Sequence, residues 1–243
     1  MKKRVDGSYL MRDQHSLRLV VAAAHELKTP LTLISNLASV ISKQNNGGAI
    51  NQDHIDRIEM SSDRLLRLID SILLGGEVGQ GQSELTLEPI CVPKIIEDVV
   101  HEISPLARAY DHKIEITSHK PSYLAVANKE ALFQVLYNLF DNAIKYSHSK
   151  TIVKIETRNY QEKIRINVSD EGASIGSREL KRMFRMFGRV RQPINNYAGS
   201  SGLGLYISSQ LVDSMNGQMG VNKLENGSCF FVSLPRSMQT QLL

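Results

Sequence analysis

"VVAAAHELKTPLTLISNLASVI", residues 20–41, places its apolar residues at alternating steps of four and three. Val20, Ala24, Leu27, Leu31, Ile34, Ala38 and Ile41 recur on that spacing, the seam of a helix packed lengthwise against others. The turn chemistry of "QNNGG" (44–48) ends the helix. A second seam follows at Ile55, Ile58, Ser62, Leu65, Ile69 and Ile72. Two antiparallel helices joined by a short loop form a helical hairpin. One hairpin has too little interior to stand alone, whereas two hairpins from two chains make a four-helix bundle. The spacing therefore predicts a homodimer.

Beyond the hairpin the pattern changes. "GGEVGQGQSE" (75–84) reads as a glycine-rich linker. Residues 93–110 and 129–146 read as helices, the first kinked by Pro105. "HKIEITS" (112–118) and "YLAVA" (123–127) read as strands. "TIVKIETRNY" (151–160) and "KIRINVSD" (163–170) read as a hairpin, the second alternating strictly at Ile164, Ile166 and Val168. Residues 202–216 read as a helix with Leu203, Ile207, Leu211 and Met215 on one face, capped by Asn216 and Gly217. "QMGVNKL" (218–224) and "SCFFVSLP" (228–235) close the chain as strands. The expected class is α+β, with helices on one face of a mixed sheet. The expected division is 1–76 for the helical domain, 77–84 for the linker, 85–237 for the second domain and 238–243 for a tail.

Composition sets bounds. The 243 residues are 42% hydrophobic and 22% charged, ordinary for a globular protein. No apolar run approaches the roughly 20 residues of a membrane span. The basic start, "MKKRVDGSYLMRDQ", lacks the apolar stretch of a signal peptide. The expectation is a cytoplasmic chain, or the cytoplasmic part of a longer one. Cys91 and Cys229 have no metal-like spacing and read as two buried thiols in a reducing compartment. The net charge is only +4. Its excess is concentrated in "RELKRMFRMFGRVR" (178–191), which holds six Lys or Arg and one Glu. Such a segment is either a solvated face or an anion contact. One short patch is weak evidence for nucleic acid, which is not expected as a partner.

His25 and Glu26 stand side by side one step beyond the seam residue Ala24, about 100° from it. Pro30 removes a helix hydrogen bond and bends the helix just past the pair. A surface histidine is often only that. The zinc-protease pattern H-E-x-x-H fails because its fifth position is Thr29. The remaining reading is a nucleophile beside its base: neutral imidazole attacks an electrophile, and Glu26 orients or accepts the proton on the other nitrogen.

"HELKTPL" (25–31) resembles the H box of the bacterial sensor histidine kinases, whose phosphoacceptor is this histidine. Four later stretches carry the resemblance further. In "NLFDNAIKYS" (138–147), Asn138, Asn142 and Lys145 share a helix face. Two carboxamides can ligate Mg²⁺ or hold its waters, and a lysine can meet a phosphate. The bland alternative is a polar stripe. The stretch, with Tyr146, resembles the N box. "DEGASIG" (170–176) resembles the G1 box: Asp170 is placed to accept from an adenine amino group, Gly172 to let backbone approach the nucleotide, and Ile175 matches the closing position. Ser174 stands where a second glycine is usual. "MFRMFGRV" (183–190) resembles the F box. There Phe184 and Phe187 pack the mobile ATP lid. Arg189, with Arg185 and Arg191 as further candidates, reaches the phosphates. "GSSGLGLYI" (199–207) resembles the G2 box through Gly202, Leu203, Gly204 and Leu205, with Ser200 at a position that is often glycine.

Five motifs in the family's order cover roughly residues 12–236. The resemblance implies a dimeric four-helix phosphoacceptor bundle followed by an α/β sandwich of the GHKL ATPase type. It implies ATP and Mg²⁺, with the metal at Asn138 and Asn142. His25 is implied to be autophosphorylated and then to pass its phosphoryl group to an aspartate on the receiver domain of a response regulator. A threonine in the Thr29 position implies phosphatase activity toward that regulator. No sensor segment is legible, so membrane attachment is expected only through a segment missing from this sequence. Two rival readings remain open. One is a pseudokinase scaffold, suggested by Ser174 and Ser200. The other is a GHKL ATPase of the gyrase or MutL sort, against which Asn138 speaks because those enzymes carry a glutamate there.

Overall fold

The computed structural model describes residues 7–44, 52–79, 85–118, 123–172, 175–180, 182–186, 188 and 202–238. The chain divides into two compact units, Met1–Ile72 and Leu73–Leu243.

The first unit is built from α1 (Gly7–Gln44) and from α2 (Gln52–Gly79) as far as Ile72. Helix α1 runs unbroken through Pro30, which is buried. Its buried stripe is Ala23, Pro30 and Leu37, with Leu27, Ile34 and Ile41 half-buried between them, a four-three heptad repeat. Within the single chain the expected seam divides into two stripes. Leu27, Ile34 and Ile41 face inward, whereas Val20 and Leu31 are 63% and 58% exposed, and Ala24 and Ala38 are exposed with them. The reason is that Pro30 fills an inward position that reads as a helix breaker. On α2 all six expected seam residues are half-buried, and Leu66 and Leu73 stand 59% and 60% exposed. The glycine-rich stretch is a correction. Gly75 to Gly79 continue α2, so the first residues of the expected linker are helical, and 80–84 lie outside the described residues.

The second unit contains a two-stranded sheet and a five-stranded sheet. In the small sheet β1 (Glu88–Cys91) pairs antiparallel with β3 (Leu124–Ala127). The large sheet has the order β2 (Lys113–Ser118), β4 (Ile152–Tyr160), β5 (Lys163–Asp170), β7 (Ser228–Pro235), β6 (Gln218–Lys223). The β2–β4 pair is parallel and the others antiparallel, so the sheet is mixed as expected. Period-two alternation puts Ile155, Val168 and Phe230 opposite one another, and likewise Thr157, Ile166 and Val232. All six are buried. Onto this sheet pack α3 (Val92–Ala109) at β2, α4 (Lys129–Tyr146) at β4 and β5, and α6 (Gly204–Ser214) at β6. Their apolar faces include Ile96, Ile103, Leu132, Leu136, Phe140 and Leu211, each under 2% exposed. Each such side chain contributes about 1.5–3 kcal/mol relative to exposure. On β5 Arg165 lies over the rings of Tyr160 and Phe231, 3.8 and 4.2 Å from their centroids.

Two helix ends matter for the site. Asn128 caps α4, its Oδ1 accepting from Ala131 N at 2.9 Å, and its Nδ2 donates to Thr86 O at 3.2 Å. Past α6, Asn216 takes the left-handed conformation (φ 55°) that ends the helix. Helix α3 runs through Pro105 without a break. Cys91 and Cys229 form no disulfide and are half-buried rather than buried. No described helix is long and apolar enough to cross a membrane.

Candidate functional site

Helix α4 is the spine of the site. Its residues 138–146 span about 12 Å of axis at 1.5 Å per residue, touching α6 at one end and the loop after β5 at the other. Asn138 Nδ2 donates to Ser208 Oγ at 3.1 Å and to Gly204 O at 3.5 Å. Ser208 is fully buried on α6. These bonds consume the donors of the Asn138 amide and leave Oδ1 as the atom it offers a cation. That suits the hard-oxygen preference of Mg²⁺. Asn142 is half-buried one turn later. Lys145 is 3% exposed and pairs with Asp141, one turn back on the same helix.

At the other end, Tyr146 is the last residue of α4, and Ser147 bridges to Gly172. A Cβ at Gly172 would lie 2.0 Å from Tyr146 O, so only glycine lets the loop approach this closely. Gly172 N donates to Asp170 Oδ1 at 3.0 Å, and His148 N donates to Glu171 O at 3.2 Å. Asp170 closes β5 and is 2% exposed. Ile175 is buried at 3%. The chain continues through α5 (Ser177–Leu180), a turn not expected from the sequence. The Glu179 carboxylate accepts from Gly176 N at 2.7 Å. Met183 is buried and Phe184 half-buried.

Gly202 has φ 80°, a left-handed turn leading into α6. Leu203 is fully buried, Leu205 half-buried, and α6 starts at Gly204 without a side-chain cap. Uncapped first-turn N–H groups on an eleven-residue helix suit an anion. Tyr206 lies in that first turn; burial pushes its phenol up, so it adds no charge there.

The structure thus brings together Asn138 with Gly204, and Tyr146 with Gly172 and Asp170, around one helix that also carries Asn142 and Lys145. Phe187, Arg189, Arg191, Ser174 and Ser200 lie outside the described residues. His25 and Glu26 take their places in α1 between buried Ala23 and half-buried Leu27, and Thr29 is exposed. Sequence reasoning missed Asp141, although opposite charges four apart on a helix were a usable signal. It also missed Ser208, 70 residues from its partner, for which no local signal exists. Buried His112 was missed as well, its Nδ1 3.3 Å from Thr151 Oγ1.

Comparison with known proteins gives the same two parts. Residues 16–76 match the His Kinase A (phospho-acceptor) domain family, and residues 127–238 match the histidine kinase-, DNA gyrase B- and HSP90-like ATPases. The chain is 30% identical over 218 residues to the sensor protein GacS of Pseudomonas syringae pv. syringae, covering 87% of this chain and 24% of GacS. It therefore spans about a quarter of that relative's length. Its fold is similar to the Acinetobacter baumannii histidine kinase AdeS, with TM-score 0.63 and 20% identity over 87% of this chain and 97% of AdeS. It is also similar to the histidine kinase ThkA solved in complex with the response regulator protein TrrA, with TM-score 0.62 and 19% identity over 93% of this chain and 64% of that one. With a phosphoacceptor domain followed by an ATPase domain, the chain belongs to the histidine kinases and carries their catalytic core.

Proposed function

We propose that the chain binds ATP in the second unit, phosphorylates His25, and passes the phosphoryl group to an aspartate of a response regulator. The observation that carries the ATP reading is the convergence on α4. Three stretches far apart in sequence, at 138–146, 170–172 and 202–204, meet there through close glycine backbone approaches and buried polar groups. Asp170 receives the adenine amino group. Gly172 and Ile175 shape the wall beside the base, and Tyr146 closes the helix end. The α6 first turn, with Gly202, Leu203, Gly204 and Leu205, takes the phosphates together with Lys145. Phe187 packs the lid, and Arg189 reaches the phosphates. Asn138 and Asn142 would hold Mg²⁺ through their carboxamide oxygens, and the ion would spread the charge of the transferring group.

His25 supplies the attacking nitrogen. Its bond to the γ-phosphorus forms as the bond from that phosphorus to the β–γ bridging oxygen breaks, ADP leaving with the electron pair. Glu26 accepts or orients the imidazole proton. Thr29 orients water for dephosphorylating the regulator, which gives the chain phosphatase activity as well. The exposed apolar stripe of Val20, Ala24, Leu31 and Ala38, with Leu66 and Leu73 on α2, supports a homodimer in which a second hairpin covers it. ThkA solved with TrrA supports a response regulator as partner. The functional division we propose is 1–76 for dimerisation and phosphotransfer, 77–84 for the linker and 85–237 for ATP binding, followed by a 238–243 tail.

Incubation with γ-labelled ATP and Mg²⁺ tests the reading. Acid-labile, alkali-stable label on the wild type that is absent from His25→Gln is the expected result. Label retained by His25→Gln would move the acceptor elsewhere, and ATP binding without label would favour a scaffold.

A further inference from the structure

Asn138, Asp141, Asn142 and Lys145 occupy positions i, i+3, i+4 and i+7 of α4, within an arc of about 100°. A carboxylate therefore sits inside the group assigned above to ATP and its metal. Beside a triphosphate that carboxylate is repulsive. Without nucleotide it is useful, because Lys145 is buried and an ammonium at that depth is strongly unfavourable unless paired. The Asp141 side chain is itself only 16% exposed, so the pair is little screened by solvent. These two facts conflict only if the pair is permanent.

We propose that Asp141 is a positioning residue that works by counter-ion exchange. In the ATP-free protein it holds Lys145 charged and in place. When ATP binds, the ammonium leaves Asp141 for a phosphate oxygen. The inference rests on the ATP-binding reading above and adds a competitor to it. Part of the attraction between Lys145 and the phosphates is consumed in breaking the pair, and Asp141 repels the same phosphates. Removing its charge therefore strengthens ATP binding while weakening the ATP-free fold.

Calorimetric titration of the full chain with ATP, in Mg²⁺ and in EDTA, tests this for wild type, Asp141→Asn, Asp141→Glu, Lys145→Gln and the Asp141→Asn/Lys145→Gln double variant. Asp141→Asn should lower the Kd about tenfold in both arms, a fraction of the full Coulomb attraction because the site opens to water. Asp141→Glu should stay within about twofold of wild type, since it keeps the charge. The gain should shrink in the Lys145→Gln background to the part that lost repulsion alone supplies, which a loosened fold would not produce. Unchanged or weaker binding by Asp141→Asn in EDTA overturns the exchange. A loss confined to the Mg²⁺ arm also overturns it, in favour of Asp141 on the metal. A gain of undiminished size in the double variant overturns it in favour of general repulsion. The wild type gives a measurement that needs no variant to fold: the Asp141 carboxylate ¹³C resonance should move on addition of metal-free ATP, and a stationary resonance overturns the proposal. A wild type that binds no ATP in either arm removes the ATP reading and this inference with it, whereas ATP binding without the Asp141→Asn gain removes this inference alone.

Discussion

Gly172→Ala probes whether the close approach at the end of α4 holds the candidate site together. The new Cβ would lie 2.0 Å from Tyr146 O, 2.9 Å from Tyr146 C and 3.0 Å from Asp170 Oδ1. Ordinary contact requires a retreat of more than about 1 Å. The obstructing atom is a backbone carbonyl in the last turn of α4, so no side-chain rotation relieves it. Either the last turn unwinds, carrying Lys145 with it, or the loop after β5 lifts and the Ser147–Gly172 bridge is lost. Overpacking of this kind costs about 1–3 kcal/mol, and a lost backbone hydrogen bond adds about 0.5–1.5 kcal/mol. The expected destabilisation is therefore about 2–4 kcal/mol, within the stability of a typical domain. ATP affinity should fall at least about tenfold if 1.4 kcal/mol of that strain reaches the binding surface. Urea unfolding followed by tyrosine fluorescence suits the measurement. The chain has no tryptophan, and all its tyrosines but Tyr9 lie in the second unit. Gly204→Ala is the control, because there the nearest atom to an added Cβ is 3.6 Å away. That variant should be as stable as wild type or more so, by up to about 1 kcal/mol. A Gly172→Ala chain as stable as wild type, or a Gly204→Ala chain that is the more damaged, refutes the reasoning.

Three further outcomes are expected. Burial holds the His112 pKa below 6.5, against the Thr151 and Ile144 backbone and the Asp111 charge that raise it. A base with a lowered folded pKa is protonated first in the unfolded chain. The stability it lends is therefore complete above 6.5 and lost as pH falls through that value toward the folded pKa, with a slope of at most about 1.4 kcal/mol per pH unit. Melting temperatures between pH 7.5 and 5.5 should show this loss shrinking in His112→Gln, and equal pH dependence in both proteins counts against it. Leu66→Glu replaces a side chain already exposed in the single chain, so the hairpin should survive. The dimer should weaken at least about a hundredfold, from two lost burials of about 1.5–3 kcal/mol each; sedimentation showing an unchanged dimer would mean the interface lies elsewhere. Thr29→Ala should keep autophosphorylation and lose dephosphorylation of the regulator, and an unchanged rate of regulator dephosphorylation rejects the assignment.

What the sequence made legible follows the reach of its signals. Helix 129–146 and strands 163–170 and 228–235 appear in the structure with the boundaries read from their periodicity, because burial on one face imposes that period directly. Strand β1 was not legible: four residues including Pro89 are too short for a period, and its partner β3 lies over thirty residues away. The α1 face was half legible. Leu31 outranks Pro30 as an apolar residue in any local reading, yet within the single chain Pro30 is the buried one and Leu31 is exposed. The glycines at 75–79 read as linker, yet they extend α2. Glycine costs a helix about 1 kcal/mol per residue, which a helix already long enough can absorb. The candidate site divides along the same line. Its residue types stand in the motifs, but the bond from Asn138 to Ser208 spans 70 residues and no local pattern encodes it. That bond turns a carboxamide from a polar stripe into an oriented group, its donors spent on α6. Asp141 makes the complementary point. Its four-residue spacing from Lys145 was visible throughout, but only the depth at which the pair is buried separates it from a common helix-surface pairing.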